Sequence, residues 1–598
     1  MLHGTIFGTI AYFVTFVFCM VGVYLFRKSH KAMNGFLWTV LSFIITTCMG
    51  SIVAGIISPI GIPINIYTMS FVYFVLGGLL FYARKKEGLR QEYVWEKFDF
   101  IAIALVTVGV AAICLNIFTP DLQYYYYNSD AGCHLKEATQ IVRSQTVFNM
   151  YFLHLQNAMI IEMIQPFVRI ADWYKGYIIA DCLFFWIETL FFVAVIRRFA
   201  KTTASKVFAM VITVAYFMGY PFFGFYYSFT YWGAGGMLVA FLLVTLWIYE
   251  EAEVERKYSI FMLMLGCFGV ITCYMLFAPV TFVAVFVYLM IVARREGKVF
   301  TKKNVLLALK IFLLPSIMGI YYCFFGFFVN SGTKVTDALG NQGGIYTELY
   351  MDFFWTILPV LFVLVKTLKK KRLTPQVVFF GAFFGFTGVM LLLTLTHHVS
   401  TYYYYKTYFP LWMLCWVLTA QAVAIMLQEA KEMLTAYCMM IAMFVVLCFG
   451  HVEYRIVTSR ENITGAMHSP AYFTLFQNNW SFITREHVGL DESIMDLYQY
   501  VADNLSDEKM VPLMTETNDY GATYFYEGLS GYDFPDFYEW RHTDEELLQA
   551  YYDWDVKHTV MLKGTQFEQE HGKKTLNHEA VSILFENEAG YILELDLP

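Results

Sequence analysis

The chain has 598 residues, of which 58% are hydrophobic and only 15% are charged, a balance that excludes an ordinary soluble globular protein and indicates a membrane protein. The net charge of −7 is unevenly divided: residues 451–598 hold 27 acidic and 9 basic side chains, which leaves 21 acidic and 32 basic ones before them. An acidic soluble segment argues against nucleic acid as a partner. The 11 cysteines show no disulfide or zinc spacing.

Apolar runs of about 18 to 25 residues, the length that crosses a ~30 Å hydrocarbon core, recur from residue 4 to about residue 450. They predict a polytopic α-helical membrane protein with about fourteen transmembrane helices in residues 1–450. The first run lacks the basic start of a cleaved signal peptide, so it is expected to be retained as a helix. The predicted spans are 4–26, 36–57, 66–83, 99–118, 176–196, 207–227, 229–249, 258–275, 277–293, 304–328, 351–368, 375–396, 407–427 and 434–450.

Basic clusters fall in alternate loops, among them "RKSHK" from residue 27, "RKKEGLR" from 84 and "KTLKKKR" from 366. The positive-inside rule makes these loops cytoplasmic and predicts a multi-pass cell-membrane protein with both termini extracytoplasmic. Residues 152–171 carry Glu162 and Arg169, so they are interpreted as a surface helix and not as a span. They belong to a large outer loop, 119–175.

Within that loop, Leu135, Ala138, Ile141 and Val142 have the spacing of an amphipathic helix. After the last span, residues 451–598 are predicted to form an acidic extracytoplasmic α/β domain. It should contain a helix over 491–505. Strands are expected at 510–516 and 558–563 and in a hairpin at the C-terminal end that turns near residues 588–590.

The stretch "QYYYYNSDAGCHLKEA", residues 123–138, gathers the polar chemistry of the outer loop. Asp130, Cys133, His134 and Glu137 are spaced to share one face of a helix. Asp130 is either a helix cap or a reactive acid, and a metal site built from Asp and His is a third interpretation.

Tetra-tyrosine occurs here and again at 402–405. Such runs are typical of an interfacial aromatic belt, but phenol rings also stack on sugars and bond their hydroxyls. Tyr126, Tyr127 and Tyr405 are therefore candidate substrate-binding residues.

"SDAGCHLKEATQIV" resembles the first extracytoplasmic loop of the GT-C superfamily of membrane glycosyltransferases, where an acid after a membrane helix precedes a helix of the form Asp-x-x-x-His-Leu-x-x-Ala-x-x-Ile. The many spans and the soluble C-terminal segment resemble that superfamily as well. The resemblance implies an inverting transferase for cell-envelope glycan or glycoprotein assembly. Its donor would be a sugar on a polyprenyl phosphate or diphosphate, and its acceptor a glycan, lipid or protein.

Carried over to this chain, the resemblance makes Asp130 the catalytic base, with His134 and Glu137 beside it in the substrate site. Lys406, with His397 and His398 in the same loop, is placed to bind the carrier phosphate, unless Lys406 only snorkels to the interface. Many members have a second acid directly after the first, whereas this chain has Ala131. No metal ligand is assigned, and a divalent cation stays open; the other candidate acids are Glu137, Asp172, Glu348 and Asp352.

Two other functions fit the same sequence. Asp181 and Glu188 lie seven residues apart on one predicted span, and intramembrane acids often line a transport path. This favours a transporter or flippase of lipid-linked sugars. A non-enzymatic membrane scaffold that binds a partner through its acidic tail is the third hypothesis.

Overall fold

The computed structural model describes residues 4–26, 32–87, 92–122, 129–147, 153–218, 234–297, 301–329, 354–428, 491–515, 520–532 and 544–596. Helices dominate the first part of the chain, and two short strands, β1 (Met33–Asn34) and β2 (Tyr93–Val94), pair in parallel within it. The helices are α1 (Ile6–Leu25), α2 (Gly35–Ile57), α3 (Ile66–Glu87), α4 (Lys97–Phe118), α5 (Ser129–Ser144), α6 (Leu153–Ile164), α7 (Tyr174–Arg197), α8 (Thr203–Met218), α9 (Ala234–Glu250), α10 (Arg256–Cys273), α11 (Ala278–Arg295), α12 (Lys302–Gly319), α13 (Phe354–Lys370), α14 (Pro375–Leu395), α15 (Thr401–Lys406) and α16 (Tyr408–Gln428).

Within the described residues, 10 helices are long and apolar enough to cross a membrane, which makes the protein a polytopic helical membrane protein. The spans predicted at 207–227 and 229–249 correspond to the shorter apolar helices α8 and α9. The span predicted at 351–368 corresponds to α13, which has 17 described residues. The last predicted span, 434–450, lies outside the described residues.

The membrane helices divide into a central and a peripheral group. Burial inside the protein reaches 89% for the apolar window of α16 and 78% for those of α2 and α7, but only 22% for α4 and α12. The peripheral helices leave large apolar side chains such as Phe7, Phe71 and Val108 exposed, as a lipid-facing surface requires. The interior of the membrane part is therefore built around α2, α7, α10 and α16.

Residues 491–596, in their described parts, add helices and a four-stranded sheet. The sheet order is β3-β4-β6-β5, with β3 and β4 parallel and the other two pairs antiparallel. The helix and the strands predicted in this segment are present, including the C-terminal hairpin. The elements are α17 (Glu492–Asn504), β3 (Leu513–Met514), α18 (Tyr520–Ser530), α19 (Asp544–Asp553), β4 (His558–Leu562), α20 (Lys573–Leu576), β5 (Val581–Glu586) and β6 (Gly590–Leu595).

The basic ends of the membrane helices meet on one face of the bundle, here called the basic face. Arg197 at the end of α7 pairs with Asp99 at the start of α4, with 2.6 Å between Nε and Oδ1. Arg295 and Arg372 both contact the carboxylate of Glu250, at 2.8 and 2.9 Å. The sequence predicted that these loops share a side of the membrane; the ion pairs show that they lie close together.

The opposite face, here called the α5 face, is where α4 ends, α5 and α6 lie and α7 begins. The backbone N–H of Ile64 donates to Gln145 O at 2.7 Å, and the backbone N–H of Val147 donates to Ser58 Oγ at 2.9 Å. These bonds join the segment after α5 to the segment between the end of α2 and the start of α3. Residues 153–164 form a helix of only 12 residues, which is too short to cross a membrane, so this region is not one of the spans.

Glu162 of α6 fixes that helix to the start of α3. Its Oε2 accepts a hydrogen bond of 2.7 Å from the backbone N–H of Ile66, the first residue of α3. The side chain is fully buried, and burial raises the pKa of this carboxyl to about 8. The charged form is thus stabilised by a helix N-terminus but opposed by desolvation.

We expect this carboxyl to make the stability depend on pH. Its pKa is about 8 in the folded protein and about 4.3 in an unfolded chain, so the folded state binds more protons between these values. The free energy of unfolding should therefore fall as the pH rises through this window, by at most ~1.4 kcal/mol per pH unit. Glu162→Gln keeps an acceptor for Ile66 and should flatten the slope, measured by thermal unfolding across the window.

Glu162→Ala is the control for the hydrogen bond alone. It leaves the buried N–H of Ile66 without this acceptor and should cost about 1–3 kcal/mol at every pH. An unchanged pH slope in Glu162→Gln would contradict the prediction.

Candidate functional site

The candidate site is built on α5, and Asp130 occupies the first turn of that helix. The partial positive charge of a helix N-terminus favours the ionised form of an acid placed there. The apolar residues predicted to face inward, Leu135, Ala138, Ile141 and Val142, are all buried, which confirms an amphipathic helix. Alpha-5 packs on α6 and α7 of the membrane part and on α18 of the C-terminal segment.

Alpha-5 and α18 run in parallel at very short range. A Cβ atom built on Gly132 would lie 2.9 Å from the backbone nitrogen of Phe525. A Cβ built on Gly528 would lie 3.1 Å from the backbone nitrogen of Lys136. Each helix thus has a glycine at the point of closest contact, where a side chain would collide with the backbone of the other helix. The N-termini of the two helices lie side by side.

A buried ion pair joins the same two helices. Lys136 Nζ lies 2.9 Å from Glu527 Oε2, and Glu527 is only 2% exposed. The Lys136 ammonium also lies 5.7 Å from the ring centre of Tyr524, within cation–π range. Desolvation makes such a pair costly to break from one side, because the remaining charge stays buried.

Arg143, in the last turn of α5, binds the end of α18. Its Nη1 and Nη2 donate to the carbonyl oxygens of Gly528 and Leu529 at 2.9 and 2.6 Å. These carbonyls belong to the last turn of α18, where backbone acceptors lack helical partners and a cation is favoured. Burial lowers the pKa of Arg143 to about 10, so the guanidinium remains charged at neutral pH.

The turn that follows α18 is shaped to admit this guanidinium. Gly531 adopts a φ of +87°, a left-handed conformation that favours glycine. A Cβ at this position would lie 2.7 Å from Arg143 Nε. On its other side, Arg143 stacks on the ring of Trp173 at 5.1 Å, just before α7 begins. Arg143 therefore connects α5, α18 and the central membrane helix.

A second contact ties α17 to the same face. Arg169 Nη1 pairs with Asp496 Oδ1 at 2.6 Å, and the backbone N–H of Ala171 donates to Gln499 Oε1 at 3.1 Å. Asp172, one of the candidate second acids, pairs with Arg169 at 3.0 Å and Lys175 at 3.2 Å. Its carboxylate is engaged in holding the segment before α7.

Lys406, proposed for the carrier phosphate, is 4% exposed and lies 5.1 Å from the ring centre of Tyr274. A snorkelling lysine keeps its ammonium in water, so this burial disfavours that interpretation. His397 and His398 are exposed on the turn after α14, and His398 Nδ1 lies 3.0 Å from Thr396 Oγ1. The described contacts do not bring these three residues to α5.

The remaining predicted site residues are only partly visible. Cys133, His134 and Glu137 are half-buried on α5, whereas the side chain of Asp130 lies outside the described residues. Tyr405 lies on α15, and its side chain is likewise outside them. Within the described part of the chain, no three His, Cys, Asp or Glu side chains are grouped to hold a metal ion. The residues that lie entirely outside the described part are Tyr126, Tyr127, Glu348 and Asp352.

Sequence reasoning missed the residues that hold α5 in place. Lys136 and Arg143 are ordinary polar positions of an amphipathic helix, and Glu527 is one of 27 acids in an acidic segment. The available signal was the pair of glycines, Gly132 and Gly528, each inside a helical pattern where glycine costs about 1 kcal/mol. Such a glycine often marks a close helix contact, but the sequence does not name its partner.

No protein-family model matches the chain, and no curated protein sequence shows significant similarity to it. The fold and the site therefore define the class on their own: a polytopic helical membrane protein whose C-terminal segment is docked on a helix between α4 and α7.

The buried ion pair should contribute strongly to the stability of this docking. Lys136→Met leaves the Glu527 carboxylate buried without its lysine and should destabilise the contact by about 3–5 kcal/mol. Adding Glu527→Gln should recover most of the loss, because no uncompensated charge then remains. Hydrogen exchange of the amides in 129–144 and 520–530 reports the contact directly.

Lys563→Met is the matched control. Its partner Glu586 is half-exposed on the sheet, so this variant should cost at most about 1 kcal/mol. Equal exchange in Lys136→Met and Lys563→Met would show that the buried pair does not hold the helices together.

The close packing at Gly132 makes a separate prediction. Gly132→Ala forces its new methyl against the backbone of Phe525, so α5 and α18 should separate and their amides should exchange faster. Gly109→Ala in α4 is the control, because a Cβ there meets nothing within 4 Å. If Gly132→Ala exchanges as slowly as Gly109→Ala, the helices tolerate a wider spacing than the structure shows.

Proposed function

We propose that the protein is an inverting membrane glycosyltransferase that moves a sugar from a polyprenyl-phosphate or polyprenyl-diphosphate carrier to an acceptor hydroxyl. The α5 face is extracytoplasmic in this proposal, and so are both termini and the C-terminal α/β domain. The acceptor is a glycan, lipid or protein of the cell envelope.

In the reaction, the acceptor hydroxyl attacks the anomeric carbon from the side opposite the carrier. The bond from that carbon to the acceptor oxygen forms as its bond to the carrier phosphate oxygen breaks, and the anomeric configuration inverts. Asp130 takes the proton of the acceptor hydroxyl. The carrier phosphate leaves with the bonding electron pair and needs a cation or hydrogen-bond donors nearby.

The observation that carries the proposal is the way α5 is held. Catalytic groups need fixed positions, because misplacement by about 1 Å is enough to lose much of the rate. The helix with Asp130 in its first turn is clamped by the Lys136–Glu527 pair, by Arg143 and by two close glycines. A helix cap on a free interfacial helix would need none of these contacts.

The buried Lys406 supports the phosphate side of the proposal. Lys406, the last residue of α15, is only 4% exposed, and its ammonium lies over the ring of Tyr274, so this cation is largely shielded from water. A cation in this position would attract an anionic carrier phosphate. His397 and His398 remain candidate phosphate donors on the exposed turn that precedes it.

The decisive test is Asp130→Asn in the full-length protein. Loss of a general base typically lowers the rate by about 10²- to 10⁴-fold, so turnover of lipid-linked sugar in membrane extracts should fall by that factor. Insertion and unfolding temperature should stay unchanged, because Asn has nearly the same size and shape as Asp.

Asp121→Asn is the matched control, an exposed acid in the turn after α4. It should keep full activity. Retained turnover in Asp130→Asn would remove the proposed base and with it the mechanism.

Transport of a lipid-linked sugar is the second candidate, favoured by the two acids buried within α7. Asp181 is 2% exposed and Glu188 is 4% exposed. Transport predicts that Glu188→Gln stops movement of the lipid-linked sugar across vesicles while Asp130→Asn does not. The transferase proposal predicts the reverse for sugar transfer, so the two variants separate the functions.

A further inference from the structure

Glu188 lies deep within the membrane part, on α7, one of the most buried helices that the structure describes. It is the fifteenth residue of the 24-residue α7, about 21 Å along the helix from its first residue. Helices on several sides pack against α7, among them α2, α8 and α9, and Glu188 is only 4% exposed. Its carboxyl therefore faces protein and not lipid headgroups or bulk water.

Both carboxyl oxygens of Glu188 lack a hydrogen-bond partner among the described residues. No Lys, Arg or His of the described part forms an ion pair with it. Buried hydroxyl groups of the membrane helices often donate a hydrogen bond to a backbone carbonyl of their own helix. Thr189 Oγ1, on the next residue, donates to Phe185 O at 2.7 Å in this way. A carboxyl left without any partner has a desolvation cost that protonation removes.

A small cavity of about 20 Å³ reaches α7 at Phe184, one helical turn before Glu188, which does not itself line it. It is bounded by Phe184 of α7, by Thr47 and Cys48 of α2 and by Thr272 of α10. A water molecule needs roughly 10–15 Å³ and two or more polar partners. Thr47 is only 6% exposed, and its Oγ1 has no hydrogen-bond partner among the described residues, so this hydroxyl is available to a water molecule in the cavity.

The titratable groups that the structure describes around Glu188 are cysteines and a second acid. Cys273 at the end of α10 is its electrostatic neighbour, and Cys48, which lines the cavity, is the next neighbour of Cys273. Two helical turns along α7, Asp181 lies beside Cys114 of α4 and has an unpartnered Oδ1. None of these groups supplies a fixed positive charge.

We propose that Glu188 is the carboxyl of an intramembrane proton-binding site, and that its proton exchanges by way of a water molecule that Thr47 holds in the cavity one helical turn away. The proton is the ligand: it binds a carboxylate oxygen when the site is loaded and leaves through the water when the site empties. Asp181 is the next acceptor toward the α5 face. The site is independent of Asp130 and gives the protein a means of coupling its work to proton movement.

Infrared spectroscopy of the full chain in lipid vesicles tests this directly, because the C=O stretch of a protonated carboxyl differs from that of a carboxylate. We expect a protonated-acid band that shifts in D₂O, disappears in Glu188→Gln and persists in Asp181→Asn. Thr47→Val should slow the D₂O shift, because it removes the hydroxyl that holds the water.

The unmodified protein supplies a second measurement. A hydrophobic carbodiimide adds to protonated carboxyls in apolar surroundings, and the stable product contains the whole reagent. Peptide mapping should find it on Glu188 and not on Glu250, whose carboxylate is paired with Arg295 and Arg372. Glu250 therefore serves as the internal control.

Two results would overturn the proposal. An unmodified Glu188 in the unaltered protein would show that the carboxyl is ionised or unreachable. An acid band assigned to Glu188 that does not shift in D₂O would show a sealed structural proton and not a binding site.

Discussion

The arrangement of the whole α5 face depends on one guanidinium. Arg143 ends α5, neutralises the C-terminal carbonyls of α18 and stacks on Trp173 directly before α7. It is the group through which a helix of the candidate site, a helix of the C-terminal segment and the core of the membrane part are joined. The position beside it is a glycine, Gly531, for two reasons: its backbone is left-handed, and a side chain there would occupy the space of the guanidinium.

The buried acids of the protein fall into two groups, those with a specific hydrogen-bond or ion-pair donor and those without one among the described residues. Asp99, Glu162 and Glu527 are each buried against a specific donor: an arginine, a helix N-terminus and a lysine. These contacts stabilise the packing at the two membrane faces. Among the described residues no such donor faces Asp181 or Glu188, although both acids lie in one of the most buried helices, where an unpaired charge is poorly tolerated. The difference separates acids that hold the fold together from acids that are available for chemistry.

Much of the fold follows from patterns that act over short distances in the chain. Apolar length predicted the spans, the alternation of basic loops predicted the face where Arg197 and Arg295 meet acids, and the spacing of Leu135 and Ala138 predicted α5. The strands β4 to β6 were visible as short β-branched and apolar runs. Each of these signals is local, so one sequence is sufficient to detect it.

The docking of α18 on α5 could not be predicted in this way, because its partners lie almost four hundred residues apart. A glycine within a helix indicates a close contact, but it does not identify the partner. A charged residue of an amphipathic helix has the same sequence pattern whether its side chain lies in water or pairs with Glu527. Lys406 illustrates the same limit: position near a predicted interface suggested snorkelling, and only the packing of Tyr274 reveals a buried ammonium.

The two kinds of candidate chemistry lie at different depths, and this has a mechanistic consequence. Asp130 is at the start of a surface helix, whereas Glu188 is about 21 Å along the central helix that begins just beyond Arg143. A reaction at the first position needs a fixed helix, and the clamp on α5 supplies it. Proton exchange at the second needs only a water-sized space and a carboxyl without a counter-ion. Trp173 and Arg143 adjoin both α5 and the start of α7. A shift of α7 that accompanied proton binding would therefore first change the Arg143–Trp173 contact, which helps to position the helix that carries Asp130.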